Sequence, residues 1–558
     1  MSAAPVGLAW RVGRQAVRAL WGMLFVAPLA VGLVLGLAQA ADAGAWRALV
    51  ADPQTLPSWR LSVGTAAGSS LLALLIAMVI TTHLHGSRWW PRVSSALAPM
   101  LALPHAAFAI GFALLLMPSG LAARALALAT GWVDPPDWRS VNDAQGLALM
   151  AVLVLKELPF LLWNLVALLA RPELSAQLQR HVLLAGTLGY RAPALWWRVL
   201  WPMLLPRLAW PLLAVLAYSL SVVDVALVVG PLSPPTLAAL AWQSLLDGDP
   251  ASQALGAVQV VVLAVTLVAL VGVAWLVGAL WRRAAMRVAV GGHRPVGGRR
   301  FDGSWPTRAL ALMIALVYAL VALLLVLAAS AGPWPFPALL PSSWDPLAAL
   351  RAALWPTLGF SAGLAAAASV LALVLAIGWL EVTSPRVDAV LTPVLLAPLV
   401  VPPLLLLIGL YRGALWLRLD GSVWGLLWVH VIVVLPYAFI VLAPAWRSYD
   451  ARFETTALAL GRRRLAFWWR VKWPMQRAPI AAALSVGFAV ALAQYLPTLF
   501  IGAGRFATVT TEAVTLSAGG QRQSAVVHAL WQALLPMLGF ALAAAVRRPL
   551  ANRLPAAH

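Results

Sequence analysis

There is no cysteine in the 558 residues, so disulfides, thiolate metal sites and cysteine nucleophiles are excluded. Charge is scarce: Asp, Glu, Lys and Arg make up 10% of the chain, while 62% is hydrophobic. A soluble protein of this length needs more polar surface than that. Acidic residues are rarer still, 18 against 39 Lys and Arg. There is no Walker A pattern, GxxxxGK[ST], so the chain does not bind ATP itself. No Ser/His/Asp arrangement or paired carboxylate collects at one membrane face, so no catalytic residue is assigned and a membrane enzyme such as a lipid-linked transferase is disfavoured. No cluster has metal-ligand spacing, so neither metal nor cofactor is expected. The alternating ten-residue strands of a membrane β-barrel are absent too.

What the chain does have is apolar runs of 20 or more residues, long enough to span a hydrocarbon core of about 30 Å. Twelve are expected, at 20–40, 59–83, 93–117, 146–170, 206–230, 254–281, 307–330, 354–380, 389–411, 422–446, 478–500 and 524–546. The fold class is therefore an all-α polytopic membrane protein of about 12 transmembrane helices. Most Lys and Arg fall in segments on the side of the termini, the positive-inside bias, which places both termini in the cytoplasm. The net charge of +21 is thus a topology signal, not a nucleic-acid patch. Arg11, Arg14 and Arg18 precede an apolar run that continues to about Ala40, too long for a signal-peptide core, so it is read as an uncleaved first helix.

One polar stretch occurs twice. The first copy reads AGTLGYRAPALWWRVLWPM from Ala185 to Met203, the second ALALGRRRLAFWWRVKWPM from Ala457 to Met475, 272 residues on. Other echoes keep the same order. Ser70–Ala77 resembles Ser369–Ala376, Pro99 and Pro104 match Pro393 and Pro398, Leu158-Pro159 matches Leu435-Pro436, and Gly230 matches Gly502. Together they describe a duplicated six-helix unit, parallel because six spans return the chain to one side. The halves are 1–281 and 307–558. The linker 282–306 is basic and rich in Gly and Pro, suited to anionic lipid at the cytoplasmic surface.

These twin loops resemble the EAA loop of type I ABC-importer permeases, whose pattern is Glu-Ala-Ala, three residues, Gly, nine residues, then Ile, one residue, Leu-Pro. Gly189 is followed by Val199, Trp201 and Pro202 at the family's positions, and Gly461 by Val471, Trp473 and Pro474. Ala185 and Ala457 hold the second Ala position. The resemblance covers essentially the whole chain. It is to fused, two-half permeases of the ferric-iron and thiamine class, and Gln494–Phe500 with Gly502–Arg505 is most like the thiamine permease branch. The resemblance implies two tandem six-helix permease repeats in a bacterial inner membrane. It also implies two copies of an ABC ATPase subunit that grip the loops, a periplasmic solute-binding protein, and lipid around the bundle.

The family's Glu is Leu183 in the first copy and Thr455 in the second. Glu454 lies one position earlier, with Val182 as its counterpart. The first copy therefore lacks the acidic docking contact, and the two loops are expected to be inequivalent. Arg462, Arg463 and Arg464 are offered either to acidic ATPase residues or to lipid headgroups.

Charges inside spans mark candidates for a translocation path. Lys156 and Glu157 fall near the middle of span four, where each costs about 2.5–3.5 kcal/mol. Neighbours on a helix diverge by roughly 100°, so they do not simply pair with each other. They are read as a gate or polar wall for the solute, as a buried ion pair with another span, or as charges close to the membrane interface. Asp224 in span five stands opposite Leu496 in the repeat, beside Gln494 and Tyr495. It is read either as an attractor for a cationic solute, thiamine or a related cation, or as a helix-packing or cap residue near the outer end of the span. His105 and His430 are read as packed, hydrogen-bonded imidazoles. Ferric iron and other small solutes stay open. A twelve-helix secondary carrier is the rival reading, and it would need no twin loops.

Overall fold

Backbone N–H and C=O groups cannot stay unpaired in hydrocarbon, and the chain meets this with helices. In the computed structural model, residues 15–187, 190, 192–291, 304–345 and 354–547 are described. Among them there is no strand, only an isolated bridge between Ala331 and Trp344. Among the same residues, ten helices are long and apolar enough to cross a membrane, or twelve if each of two bent pairs is one span.

The spans and their extensions run as follows. First come α1 (Gln15–Gln39), α2 (Thr55–Leu84), α3 (Trp90–Ala102), α4 (His105–Leu116), α5 (Leu121–Thr130), α6 (Leu147–Leu169) and α7 (Pro172–Thr187). Next are α8 (Ala209–Ser221), α9 (Asp224–Val229), α10 (Leu237–Leu246), α11 (Pro250–Val290) and α12 (Ser304–Ala329). Then follow α13 (Trp355–Val382), α14 (Pro385–Val400), α15 (Pro403–Trp416), α16 (Val423–Arg447) and α17 (Arg452–Ala459). The last are α18 (Arg477–Leu492), α19 (Leu496–Gly502), α20 (Val509–Ala518) and α21 (Arg522–Arg547).

Two compact units emerge, and neither is a linear half. One holds the described residues of 39–348 and 517–526. In it α2 packs along α6, and α12 packs on α4 and α2. Gly111 permits the α4–α12 approach, since a Cβ there would lie 2.7 Å from Val321 Cγ1. The other unit holds the described residues of 1–38, 349–516 and 527–558. Its centre is the mutual packing of α13, α16 and α18. Here α1 crosses α15 at glycine: a Cβ on Gly36 would meet Leu405 O at 2.5 Å, and one on Gly409 would meet Gly32 O at 1.7 Å. Small residues let apolar helices come this close in lipid. Each unit thus takes the first span of one sequence half and later spans of the other. The boundaries 281 and 307 describe the duplicated sequence, and the contact units cross them.

The duplication recurs in detail. Leu237 N–H donates to Ser62 Oγ at 2.7 Å, and Val509 N–H donates to Ser361 Oγ at 2.9 Å. The helix breaks recur as well. The expected span 93–117 is broken at Leu103-Pro104, and the span 389–411 at Val401-Pro402. Pro104 therefore corresponds to Pro402, not to Pro398, which lies inside a helix. Span five breaks at Val222-Val223 and span eleven between Leu492 and Leu496. The linker's beginning continues α11, so Arg282, Arg283 and Arg287 are helical. Arg294, Arg299 and Arg300 lie outside the described residues.

Candidate functional site

The twin loops fold alike. After α7, Tyr190 N–H donates to Ala185 O at 2.9 Å; after α17, Arg462 N–H donates to Ala457 O at 3.1 Å. This six-to-one bond closes a helix end and calls for a left-handed residue just before the donor. Gly461 supplies it with φ +73°. Gly189 lies outside the described residues.

A short helix follows in each copy, Ala192–Leu195 and Arg464–Phe467. Then the ladder widens to a π-turn, at Trp196–Leu200 and at Trp468–Lys472. Trp201 N–H reaches Trp196 O, and Trp473 N–H reaches Trp468 O. The cause is the next residue: Pro202 and Pro474 have no N–H, so the α-ladder cannot run on unchanged. The Trp-Pro pairs at matching positions were the signal for this turn. Val199, Pro202, Val471 and Trp473 are half-buried, and Pro474 is exposed.

The two loops are anchored at one repeat position with different chemistry. Trp201 is fully buried and donates its indole N–H to Thr82 Oγ1 at 2.9 Å. In the second copy the residue at the place of Thr82 is Glu381, 299 positions on. Glu381 pairs with buried Lys472 and accepts the Trp446 indole N–H at 3.0 Å. The Lys472 ammonium lies 4.6 Å from the Trp446 ring centroid. The Trp473 indole nitrogen is buried without a partner among the described residues. The first anchor is neutral and the second ionic.

Both loops expose large apolar side chains, and the second also exposes Arg462, Arg463 and Arg464. Leu183 is 70% exposed and Leu460 76% exposed, although both lie outside the spans. Ala185 is buried, Ala457 half-buried, and Thr455 exposed. Glu454 is held by Arg464 at 2.8 Å, so this carboxylate staples α17 to the short helix across the Gly461 turn. Val182, its counterpart, has no such role open to it.

Lys156 and Glu157 leave α6 in different directions. Lys156 Nζ donates to Met100 O at 3.0 Å and to Leu103 O at 2.6 Å, at the break between α3 and α4. Glu157 Oε1 lies 3.3 Å from His105 Nε2. The His105 ring packs on Tyr218 at a centroid distance of 4.6 Å. Asp224 opens α9 and is half-buried, with its carboxylate near the backbone N–H groups of the helix start and near His105. Glu157, His105, Tyr218 and Asp224 therefore gather where two spans break. Tyr218 was missed in the sequence because an isolated aromatic in an apolar run carries no pattern.

Gln494 donates to Val490 O at 2.9 Å, and Tyr495 is buried, both at the corresponding break of the other unit. His430 is buried, 2.9 Å from Leu426 O and 3.4 Å from Thr498 Oγ1, the packed imidazole expected.

No family model matches the chain. A curated protein does: it is 37% identical over 532 residues to the inner membrane ABC transporter permease protein YnjC of Escherichia coli (strain K12), covering 95% of this chain and 96% of that one. It is also 32% identical over 127 residues to the molybdenum transport system permease protein ModB of Mycobacterium bovis and of Mycobacterium tuberculosis, covering 21% of this chain and 48% of each. Such permease subunits are not enzymes themselves, and they work with ATPase and solute-binding partners. With a near full-length match, the apolar helices and the repeated loops all in agreement, this chain is a multi-pass inner-membrane protein that belongs to the ABC transporter permease family.

Proposed function

We propose that the chain is the permease of an importer in which two copies of an ABC ATPase subunit dock on the twin loops from the cytoplasm. Both termini then lie in the cytoplasm, and a periplasmic binding protein delivers the solute. The observation that carries this is the pair of loops with equal closure, equal π-turns and exposed apolar faces outside the spans. Exposed apolar faces of this kind mark a partner's surface. A rigid turn ending at proline passes on a partner's motion, where a floppy loop would absorb it. Closure of the ATPase pair then drives alternating access.

For the solute, the reading is a small cation such as thiamine. It rests on Glu157 and Asp224 gathered with the rings of His105 and Tyr218, since carboxylates and aromatic faces both attract a cation. The Lys156 ammonium is hydrogen-bonded to the backbone carbonyls of Met100 and Leu103 at the helix break. A second reading is an oxyanion such as molybdate, favoured by the likeness to molybdenum permeases over 127 residues. The test is uptake by proteoliposomes holding this chain, its ATPase and its binding protein, loaded with labelled thiamine or labelled molybdate. ATP-dependent thiamine uptake that falls in Asp224→Asn supports the cation. Molybdate uptake unaffected by that change supports the oxyanion.

A further inference from the structure

One group of donors in the unit of residues 39–348 has no acceptor among the described residues. The Trp89 indole nitrogen and Arg308 Nε are both buried without a hydrogen-bond partner there. They belong to one cluster: the Arg308 guanidinium lies 6.0 Å from the Trp89 ring centroid, and that of Arg92 lies 5.0 Å from the same ring. Two guanidinium groups are thus gathered at a single indole. Buried donors left unpaired are costly, and like charges held together ask for an anion.

Trp89 and Arg92 also line an open crevice between α2, α3, α6 and α12, with a volume of about 100 Å³. Its remaining wall is apolar, including Ile80, Ala96, Leu97, Pro159, Leu162 and Ile314. The donors lie at the loop end of the spans, since His85, near Trp89 in sequence, packs on Trp196 of the first loop. A cationic mouth on an apolar slot matches one molecule in particular.

We infer that this crevice holds an anionic phospholipid. Its phosphate meets Trp89, Arg92 and Arg308, and an acyl chain lies along the apolar wall. The other unit supplies an internal comparison. Its crevice is lined by Arg18 of the first span, with Gly22, Val26, Trp379 and Val387. There the donors are satisfied by protein: Arg18 Nη2 donates to Val382 O at 3.1 Å, and Trp379 Nε1 donates to Asp388 Oδ1 at 3.0 Å. Asp388, near the start of α14, supplies the negative charge that the start of α3 lacks. An external phosphate would fill that role at Trp89.

The experiment is native mass spectrometry of the full chain, delipidated and then offered phosphatidylglycerol, phosphatidylcholine or glycerol 3-phosphate. We expect one phosphatidylglycerol to be held preferentially, with retention about thirtyfold lower in the double variant Arg92→Gln, Arg308→Gln. Ala96→Trp, which fills the slot and leaves every donor in place, should lower retention too, and it carries the test if the double variant does not fold. Equal retention of the two lipids, or unchanged phosphatidylglycerol retention in the folded variants, overturns the inference. So does glycerol 3-phosphate displacing the lipid at equal concentration, which would mean that only the anion is recognised.

Discussion

Lys156 donates to the carbonyl oxygen of Met100, the oxygen whose donor in an unbroken helix would be the N–H of residue 104. That residue is proline, so the ammonium replaces a missing backbone bond. An intramembrane lysine is costly, and here it is spent on a helix break. Replacing Lys156 with Met should destabilise the chain by about 2 kcal/mol, because buried carbonyls lose a charged donor. Thermal unfolding in detergent measures this. A variant as stable as the parent would mean that the break does not depend on the lysine.

Gly461 has φ +73°, and a Cβ added to it would have no neighbouring atom within 4 Å, so a side chain there is opposed by the backbone alone. Left-handed conformation costs an ordinary residue about 1–2 kcal/mol. Gly461→Val should therefore weaken co-purification with the ATPase about tenfold without changing membrane insertion, while Gly461→Asn should be nearly neutral. Equal binding by the Val variant would remove the turn from the docking role.

The ionic anchor of the second loop should be more sensitive than the neutral one of the first. Losing one member of a buried ion pair costs about 3–5 kcal/mol, against roughly 1 kcal/mol for a neutral hydrogen bond. Lys472→Met should lower solute-stimulated ATP hydrolysis in the assembled complex more than Thr82→Val does. Adding Glu381→Leu to Lys472→Met should restore much of the loss. If the double variant is worse than the single, the two residues act separately.

Packing against Trp90 and Trp196 shields one side of the otherwise exposed His85 imidazole from water and holds its pKa below the ordinary histidine value. The folded state then favours neutral His85, and the unfolded chain binds the proton more readily. Stability from this contact is present above the ordinary histidine pKa and is lost as pH falls through it toward the lowered value. Tryptophan fluorescence should report a loosening in that window, absent from His85→Phe. The same transition in both would assign it elsewhere.

Much of the fold could be read from apolar run lengths, because a span declares itself by composition alone. Spacing also exposed the twin loops, since Trp-Trp-Arg-Val and Trp-Pro survive in both. Other features were hidden for physical reasons. The crossing of α1 with α15 depends on Gly32, Gly36 and Gly409, glycines that are distant in the chain and ordinary in their local sequence. The pairing of Pro104 with Pro402 depends on which proline ends a helix, and Pro398 looked equally good. Lys156 drew attention as a charge, but its partner is a backbone oxygen that no side-chain pattern reveals. The difference between Thr82 and Glu381 was invisible until Trp201 and Lys472 were seen against them.

The proposed transport cycle makes a demand that a secondary carrier would not. Proteoliposomes containing the chain with its ATPase and binding protein should accumulate solute with ATP inside and none with ADP, whatever the proton gradient. Accumulation driven by a proton gradient in vesicles that lack the ATPase would contradict the role assigned to the two loops.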